Sequence, residues 1–344
     1  MKKIAVVGTG ANGAGIGADM ARAGLDVTFI EQWPAHVEAI RERGIEVRMP
    51  DRTEVTAVPA FHLCDVATIR ETFDIVFIGV KAYDTRWACE LIRPLLKPDS
   101  LVVGLQNGMS IDDIADVVGV ERTIGAVIEL ASNMWEPGAT NRQNPPEESW
   151  FAVGSISPAT HGREEEVAAV LRHAGTVEVS DDIRSSKWMK LVVNAAELVP
   201  SALLGLELNT AAAAPGMYEF MLACGKEAVR AAIASGSRVR PIFGMGDENV
   251  GDPDAFAEQL FEIVLTTYSL PDTKTTSLQD WLKGRRSEVA EINGRVVAEL
   301  AAVDQPAPFN QLVVELAARV EAGELEATPA NAELLLAALA GRQV

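Results

Sequence analysis

The sequence is short of cysteine, histidine and positive charge, and each shortage closes off a class of function. Its three cysteines, Cys64, Cys89 and Cys224, stand far apart and form no CxxC pair. That argues against a disulfide framework or a zinc knuckle and leaves buried free thiols as the expectation. The four histidines, His36, His62, His161 and His173, attach to no motif. They read as surface or loop residues, and no metal site is expected. Against 49 acidic residues there are only 30 lysines and arginines, a net charge of −19. So acidic a chain lacks the cations that nucleic-acid phosphates and anionic bilayers demand, so neither is an expected partner. No apolar run is long enough to span a bilayer. The opening MKKIAVVGTGANG breaks into glycines too early for a signal peptide, so the expected location is cytoplasmic. There is no internal repeat, no low-complexity tract, no nucleophile elbow and no Ser–His–Asp pattern.

What is present is ample apolar material: 48% of 344 residues, enough for two domains. KIAVVG (3–8), DVTFI (26–30), DIVFIGV (74–80) and SLVVGLQNG (100–108) read as buried strands. Helical patterns at 11–24 and 34–44 and a helix-like stretch before residue 100 alternate with them. Strand-like runs TIGAVIEL and WFAVGSI, a helix at 162–173 and a strand TVEVS follow. This alternation predicts an α/β, doubly wound, mostly parallel sheet. Beyond Asp181 strand signals fade and Ala/Leu/Glu-rich helical patterns dominate. The expected division is a Rossmann domain over 1–180 and an all-α domain over 181–344. The Gly-, Pro- and Asp-rich segment 237–256 reads as a long loop.

Gly8-Thr9-Gly10-Ala11-Asn12-Gly13 follows a strand and opens a helix, the context a dinucleotide-binding GxGxxG requires. Gly8 permits the tight turn, Gly10 lets the backbone approach a pyrophosphate, and Gly13 allows close helix–strand packing. The helix N-terminus adds a field that favours phosphate. Glu31 ends the second strand, where an acid accepts hydrogen bonds from the adenosine ribose and repels a 2′-phosphate. That favours NAD(H) over NADP(H).

KWMKLVVNAAELVP (187–200) is an apolar helix carrying Lys190, Asn194 and Glu197 at helical spacing. A lone lysine on a helix is ordinarily solvated or snorkelling, and Lys187 reads that way. Asn194 is less ordinary, because asparagine is a poor helix-interior residue and a buried one needs a partner.

Taken together, these segments resemble the ketopantoate reductase (2-dehydropantoate 2-reductase) family. The resemblance rests on the glycine loop, GVKAYDT (79–85), LQNGM (105–109), KLVVNAAELVPSALLG (190–205), TSLQDWLKGRRSEVAEING (276–294, similar to a family helix) and PAPFNQLVVELAARVE (306–321). It implies a Rossmann domain and a helical domain with the active site in the cleft between them. It also implies hydride transfer from a reduced nicotinamide to the ketone of a 2-oxo acid, and is compatible with a homodimer. By motif, Lys190 matches the general acid and Glu288 the glutamate that fixes it. Asn107, Asn194 and Thr276 match substrate-binding positions, with threonine where the family usually has serine. Asn107 also matches a contact to nicotinamide ribose, and Lys81 a cofactor-side lysine. A lysine in a cleft suits this chemistry, because it can stabilise a developing alkoxide and deliver its proton.

Two positions depart from the family pattern. Members commonly use NADP(H), whereas Glu31-Gln32 favours NAD(H). Leu198 stands where the family has a second substrate-binding asparagine, and a leucine cannot bond a hydroxyl. The alternatives are a dehydrogenase of another small 2-hydroxy acid on the same scaffold, a dinucleotide-binding sensor without turnover, and a methyltransferase. A sensor has no use for Lys190, Asn194, Glu288 and Asn107 together.

Overall fold

The first strand, β1 (Lys3–Val7), sets the layering of the N-terminal unit. Successive strand side chains point to opposite faces. Accordingly Ile4 and Val6 join one apolar core, and Ala5 and Val7 another on the other face of the sheet. After β1 come α1 (Ala11–Arg22), β2 (Asp26–Glu31), α2 (Pro34–Arg43), β3 (Ile45–Arg48), β4 (Thr53–Thr56), β5 (Ala60–His62), β6 (Phe73–Ile78), α3 (Thr85–Ile92) and β7 (Leu96–Gly104). They are followed by α4 (Ile111–Val118), β8 (Thr123–Glu129), β9 (Ser132–Glu136), β10 (Ala139–Arg142), β11 (Trp150–Ser155), α5 (Glu164–Leu171) and β12 (Thr176–Val179). The computed structural model describes residues 1–246 and 250–341.

The main sheet has eight strands in the order β12-β11-β8-β7-β6-β1-β2-β5. Neighbours from β5 to β8 pair in parallel, and β11 alone runs antiparallel to its neighbour β8. The order reverses between β1 and β6, which places the loop after β1 at the switch point where doubly wound sheets bind ligands. The expected Rossmann architecture is therefore present, with more sheet than the sequence reading contained. A second sheet, ordered β4-β3-β10-β9, packs against α1. Its Arg142 is fully buried and pairs with Asp19 of α1, while donating to Asn144 O (2.8 Å), Ser149 Oγ (2.9 Å) and Ala174 O (2.7 Å).

The chain divides into two compact units, Met1–Gln106 with Ser110–Arg184, and Asn107–Met109 with Ser185–Val344. The second contains most of α6 (Ile183–Leu203), then α7 (Leu208–Ala213), α8 (Met217–Ala234), α9 (Pro253–Ile263), α10 (Thr276–Leu282), α11 (Asn293–Ala301), α12 (Pro308–Glu321) and α13 (Ala332–Ala340). Helix α8 packs against α7, α9, α11, α12 and α13. Its Glu227 is fully buried and accepts from the Phe309 N–H (3.2 Å), the Asn310 N–H (2.9 Å) and the Asn310 side-chain amide (2.9 Å). A carboxylate from one helix thus satisfies the open N-terminus of another.

The long loop runs from α8 to α9 and ends earlier than its composition suggests; residues 247–249 lie outside the description. Asp252 caps α9 by accepting from the Asp254 and Ala255 N–H groups, with Pro253 in the first turn. Segment 276–294 is not one helix. It breaks between α10 and α11, where Gly284 takes a left-handed φ of 66°. Among the described residues no helix is long and apolar enough to cross a membrane.

Candidate functional site

In the N-terminal unit the glycine loop is closely packed on one side and open on the other. Gly8 has φ +88°, and a Cβ there would meet Val80 N at 2.4 Å. A Cβ on Gly13 would meet Gly8 O at 2.3 Å. A Cβ on Gly10 would meet nothing within 4 Å, so the backbone there faces free space. Gly10 is the N-cap of α1 and supplies no side chain to cap it. The first-turn N–H groups of α1 therefore form an anion-receptive end, and the loop fits a dinucleotide pyrophosphate.

The residue between the two glycines is held by its neighbours. Glu31 Oε2 accepts from the Thr9 N–H (2.6 Å) and hydroxyl (3.0 Å), and Oε1 accepts from the N–H groups of Gln32 (2.8 Å) and Trp33 (2.9 Å). The carboxylate expected to meet a ribose is thus buried and already ties the end of β2 to the loop. Ala11 O accepts from the Thr140 hydroxyl (3.1 Å), and the Asn12 side chain bonds Ser132, so the second sheet also grips the loop.

His36 corrects the sequence expectation for histidines. It is fully buried, its Nε2 lies 3.0 Å from Thr9 O, and its Nδ1 accepts from the Gly138 N–H at 2.8 Å. Its partners are backbone groups distant in sequence, which no local pattern could have signalled. Burial pushes its imidazole below the usual value, against the opposing pull of Glu31 and the Thr9 carbonyl; Arg43 also lowers it. Cys64 is exposed rather than buried; Cys89 and Cys224 are buried as expected.

Lys81 precedes the short 3-10 turn Ala82–Asp84 at the carboxyl end of β6 and is partly exposed. The adjoining strand ends are laced together: the Gln106 amide donates to Thr85 Oγ1 (2.9 Å), and Ser110 Oγ donates to Gln106 Oε1 (3.2 Å). Between these residues, Asn107–Met109 belongs to the other unit, and a Cβ on Gly108 would meet Glu291 O at 3.0 Å.

The second unit is organised on α6. Every residue from Ser185 to Leu204 is buried, as befits a helix apolar on nearly all sides. Lys187 is therefore not a solvated lysine; it is 3% exposed. Lys190 (8% exposed) and Asn194 (1%) stand one turn apart. Lys190 Nζ lies 5.3 Å from the centroid of Phe243, a non-glycine residue with φ +61°, whose ring in turn meets Tyr268 at 5.3 Å. Asn194 Nδ2 is buried and has no hydrogen-bond partner among the described residues. The back half of α6 is the spine on which the other candidate segments dock. The Thr275 hydroxyl donates to Leu198 O (2.9 Å), which anchors the start of α10 beside Thr276. The Asn293 amide donates to Ala195 O (3.0 Å), which anchors the turn that carries buried Glu288. Asn107, Lys190, Asn194, Thr276 and Glu288 thus all fall in one unit, and Gly8 to Gly13, Glu31 and Lys81 in the other. Sequence reasoning missed Phe243. Among the described residues no group of three or more His, Cys, Asp or Glu side chains could hold a metal ion.

Comparison with known proteins identifies the family. A 2-dehydropantoate 2-reductase from Archaeoglobus fulgidus is 27% identical over 325 residues, 94% of this chain and 99% of the relative. The crystal structure of a PanE/ApbA family ketopantoate reductase from Ralstonia eutropha JMP134 superposes with a TM-score of 0.79 at 27% identity, covering 94% of this chain and 99% of the other. A D-mandelate dehydrogenase, in a ternary structure with NADH and anilino(oxo)acetate, superposes with a TM-score of 0.83 over 94% of this chain and 99% of that one; at 19% identity this is a likeness of fold. The family description "Ketopantoate reductase PanE/ApbA" matches residues 4–155, and its C-terminal counterpart matches 182–321. The chain therefore belongs to the ketopantoate reductase family and is an NAD(P)-dependent oxidoreductase.

Proposed function

We propose that this enzyme reduces the ketone of a 2-oxo acid, with 2-dehydropantoate as lead substrate, NADH as preferred cofactor and Lys190 as general acid. The observation that carries the reading is Asn194. An amide donor buried without a partner costs the folded enzyme about 1–3 kcal/mol, and a substrate oxygen in its reach would remove that cost. Bound reduced nicotinamide supplies the hydride. As the substrate oxygen gains charge, Lys190 Nζ stabilises it and delivers a proton, an effect of about 10²–10⁴-fold. Asn194, Asn107 and the Thr276 hydroxyl orient the substrate by hydrogen bonds that add no charge. Glu288 keeps the Lys190 ammonium charged and placed. The Gly8–Gly13 loop takes the pyrophosphate, Lys81 serves the cofactor side, and the Glu31 charge at the end of β2 disfavours a 2′-phosphate.

Leu198 favours a second reading, a 2-oxo acid with a hydrocarbon side chain. It lies one turn past Asn194 and is 6% exposed, and Lys190 is itself set over the Phe243 ring. Neither the leucine nor the Phe243 ring answers a substrate hydroxyl.

The test follows loss of reduced-nicotinamide absorbance with 2-dehydropantoate, branched 2-oxo acids and aryl 2-oxo acids, using NADH and NADPH in parallel. Turnover of the hydrocarbon acids with none of 2-dehydropantoate transfers the assignment to the second reading. Full turnover by Lys190→Ala removes the general-acid role.

A further inference from the structure

Among the described residues, His36 is the one buried titratable group of the N-terminal unit that touches the glycine loop and that the proposed reaction leaves unused. Its chemistry follows from its two bonds. Gly138 offers an N–H to Nδ1, so Nδ1 is an acceptor and carries no proton. Nε2 then carries the proton and donates to the Thr9 carbonyl. The ring is the neutral Nε2–H tautomer, and it stacks on Trp33 at 5.6 Å between centroids and 18° between planes. The charged groups that act on it are Glu31, which contacts the same Thr9, and Arg43 at the end of α2.

The consequence lies in the peptide between Thr9 and Gly10. A trans peptide is planar, and its N–H points opposite to its C=O. By holding the Thr9 carbonyl, His36 turns the Gly10 N–H away from the imidazole, at a residue where an added Cβ would meet nothing within 4 Å. Without that bond the peptide is free to turn about the Gly10 φ, and glycine is the residue that resists such rotation least. Glu31 cannot substitute, because it holds the Thr9 N–H and hydroxyl, which lie on the other side of the Thr9 α-carbon. Resting on the reading of Gly8–Gly13 as the dinucleotide loop, we propose that His36 is a positioning residue for the cofactor. Its neutral Nε2–H tautomer orients the Thr9–Gly10 peptide so that the Gly10 N–H is presented to the pyrophosphate. The Gly138 N–H in turn fixes the tautomer, so the turn between β9 and β10 of the second sheet takes part in nucleotide binding. Preorganised donors lower the ordering cost of binding, so the effect is on affinity.

The experiment is a fluorescence titration with NADH of wild type, His36→Phe and His36→Gln, with thermal midpoints recorded for each. His36→Phe keeps the ring and its stacking but makes neither bond. Its Kd for NADH is expected to rise about five- to thirty-fold, the worth of one ordinary hydrogen bond to the ligand. His36→Gln can still donate to the Thr9 carbonyl and is expected to recover most of the affinity. In 15N-histidine-labelled wild type, the long-range NMR pattern of His36 is expected to be that of Nε2–H with and without NADH, a readout that needs no variant to fold. An unchanged Kd in His36→Phe, no recovery in a folded His36→Gln, or an Nδ1–H pattern in wild type overturns the role of His36 and leaves the dinucleotide loop standing. A wild type with no saturable binding of either NADH or NADPH overturns the loop reading itself.

Discussion

Replacing Asn194 by leucine tests whether its unpartnered amide is held for a ligand. The side chain is 1% exposed, and its Nδ2 has no acceptor. A buried donor without a partner costs about 1–3 kcal/mol relative to one that is satisfied or absent. Leucine is close in volume and presents no polar atom, and its neighbours Val193, Ala195 and Leu198 are themselves buried and apolar. Asn194→Leu should therefore stabilise the ligand-free enzyme by about 1–3 kcal/mol. At about 2–4 °C per kcal/mol for a unit of this size, its thermal midpoint rises by roughly 2–12 °C. Catalysis moves the other way. A hydrogen bond to a charged substrate group is worth about 1.5–3 kcal/mol, so kcat/KM falls by roughly 10- to 150-fold. The assay pairs a thermal melt without ligand with initial rates on the best acid of the panel. A variant that is both less stable and less active would refute the reasoning, because that is the behaviour of a structural asparagine.

Three further outcomes follow from buried polar groups. His36 has its folded pKa pushed below the ordinary 6.5, so the unfolded chain takes up the proton first. Its contribution to stability is complete above pH 6.5 and is lost as pH falls from there toward the folded value; a urea midpoint series should decline over that window, and less steeply in His36→Phe. Arg142→Met leaves the buried Asp19 with Arg22 as its one remaining cation among the described residues and should cost about 3–5 kcal/mol by denaturant unfolding, whereas Asp19→Leu combined with Arg142→Met should regain most of it. Glu227→Ala removes the acceptor for three donors at the start of α12 and should cost about 2–4 kcal/mol in the same measurement.

Most strands of the main sheet were legible as short apolar runs that end at a turn, as in KIAVVG and DIVFIGV, whereas the edge strand β5, only three residues long, was not. The second sheet was present in the sequence but faint: Ile45-Glu46-Val47-Arg48 and Thr53-Glu54-Val55-Thr56 alternate with period two, yet each strand is only four residues long. Lys190 and Asn194 stood out because polar residues interrupt an apolar helix. Lys187 interrupts it equally, and only the burial of every face of α6 shows that its surroundings are no different. The break before Glu288 had its signal in Lys283-Gly284-Arg285, which reads as a helix stop once a resemblance to a continuous helix is set aside. His36 had none, since its ligands are the main-chain atoms of Thr9 and Gly138, 27 and 102 residues away.

The carboxylate that starts α12 also bears on how the second unit is made. Glu227 and Asn310 are 83 residues apart in the chain. At a synthesis rate of about 5–20 residues per second, Glu227 emerges roughly 4–17 seconds before its partner exists. Until then α8 carries an acidic side chain where its finished neighbours leave no water, and Glu227 lacks the donors that Phe309 and Asn310 will bring. Locally encoded helices can form in that interval, but closing the unit waits for a contact of long sequence separation, which is slow to find. A ribosome-bound chain halted before Asn310 is thus expected to remain protease-sensitive from α6 onward, and one released beyond Glu321 to become resistant in a single step.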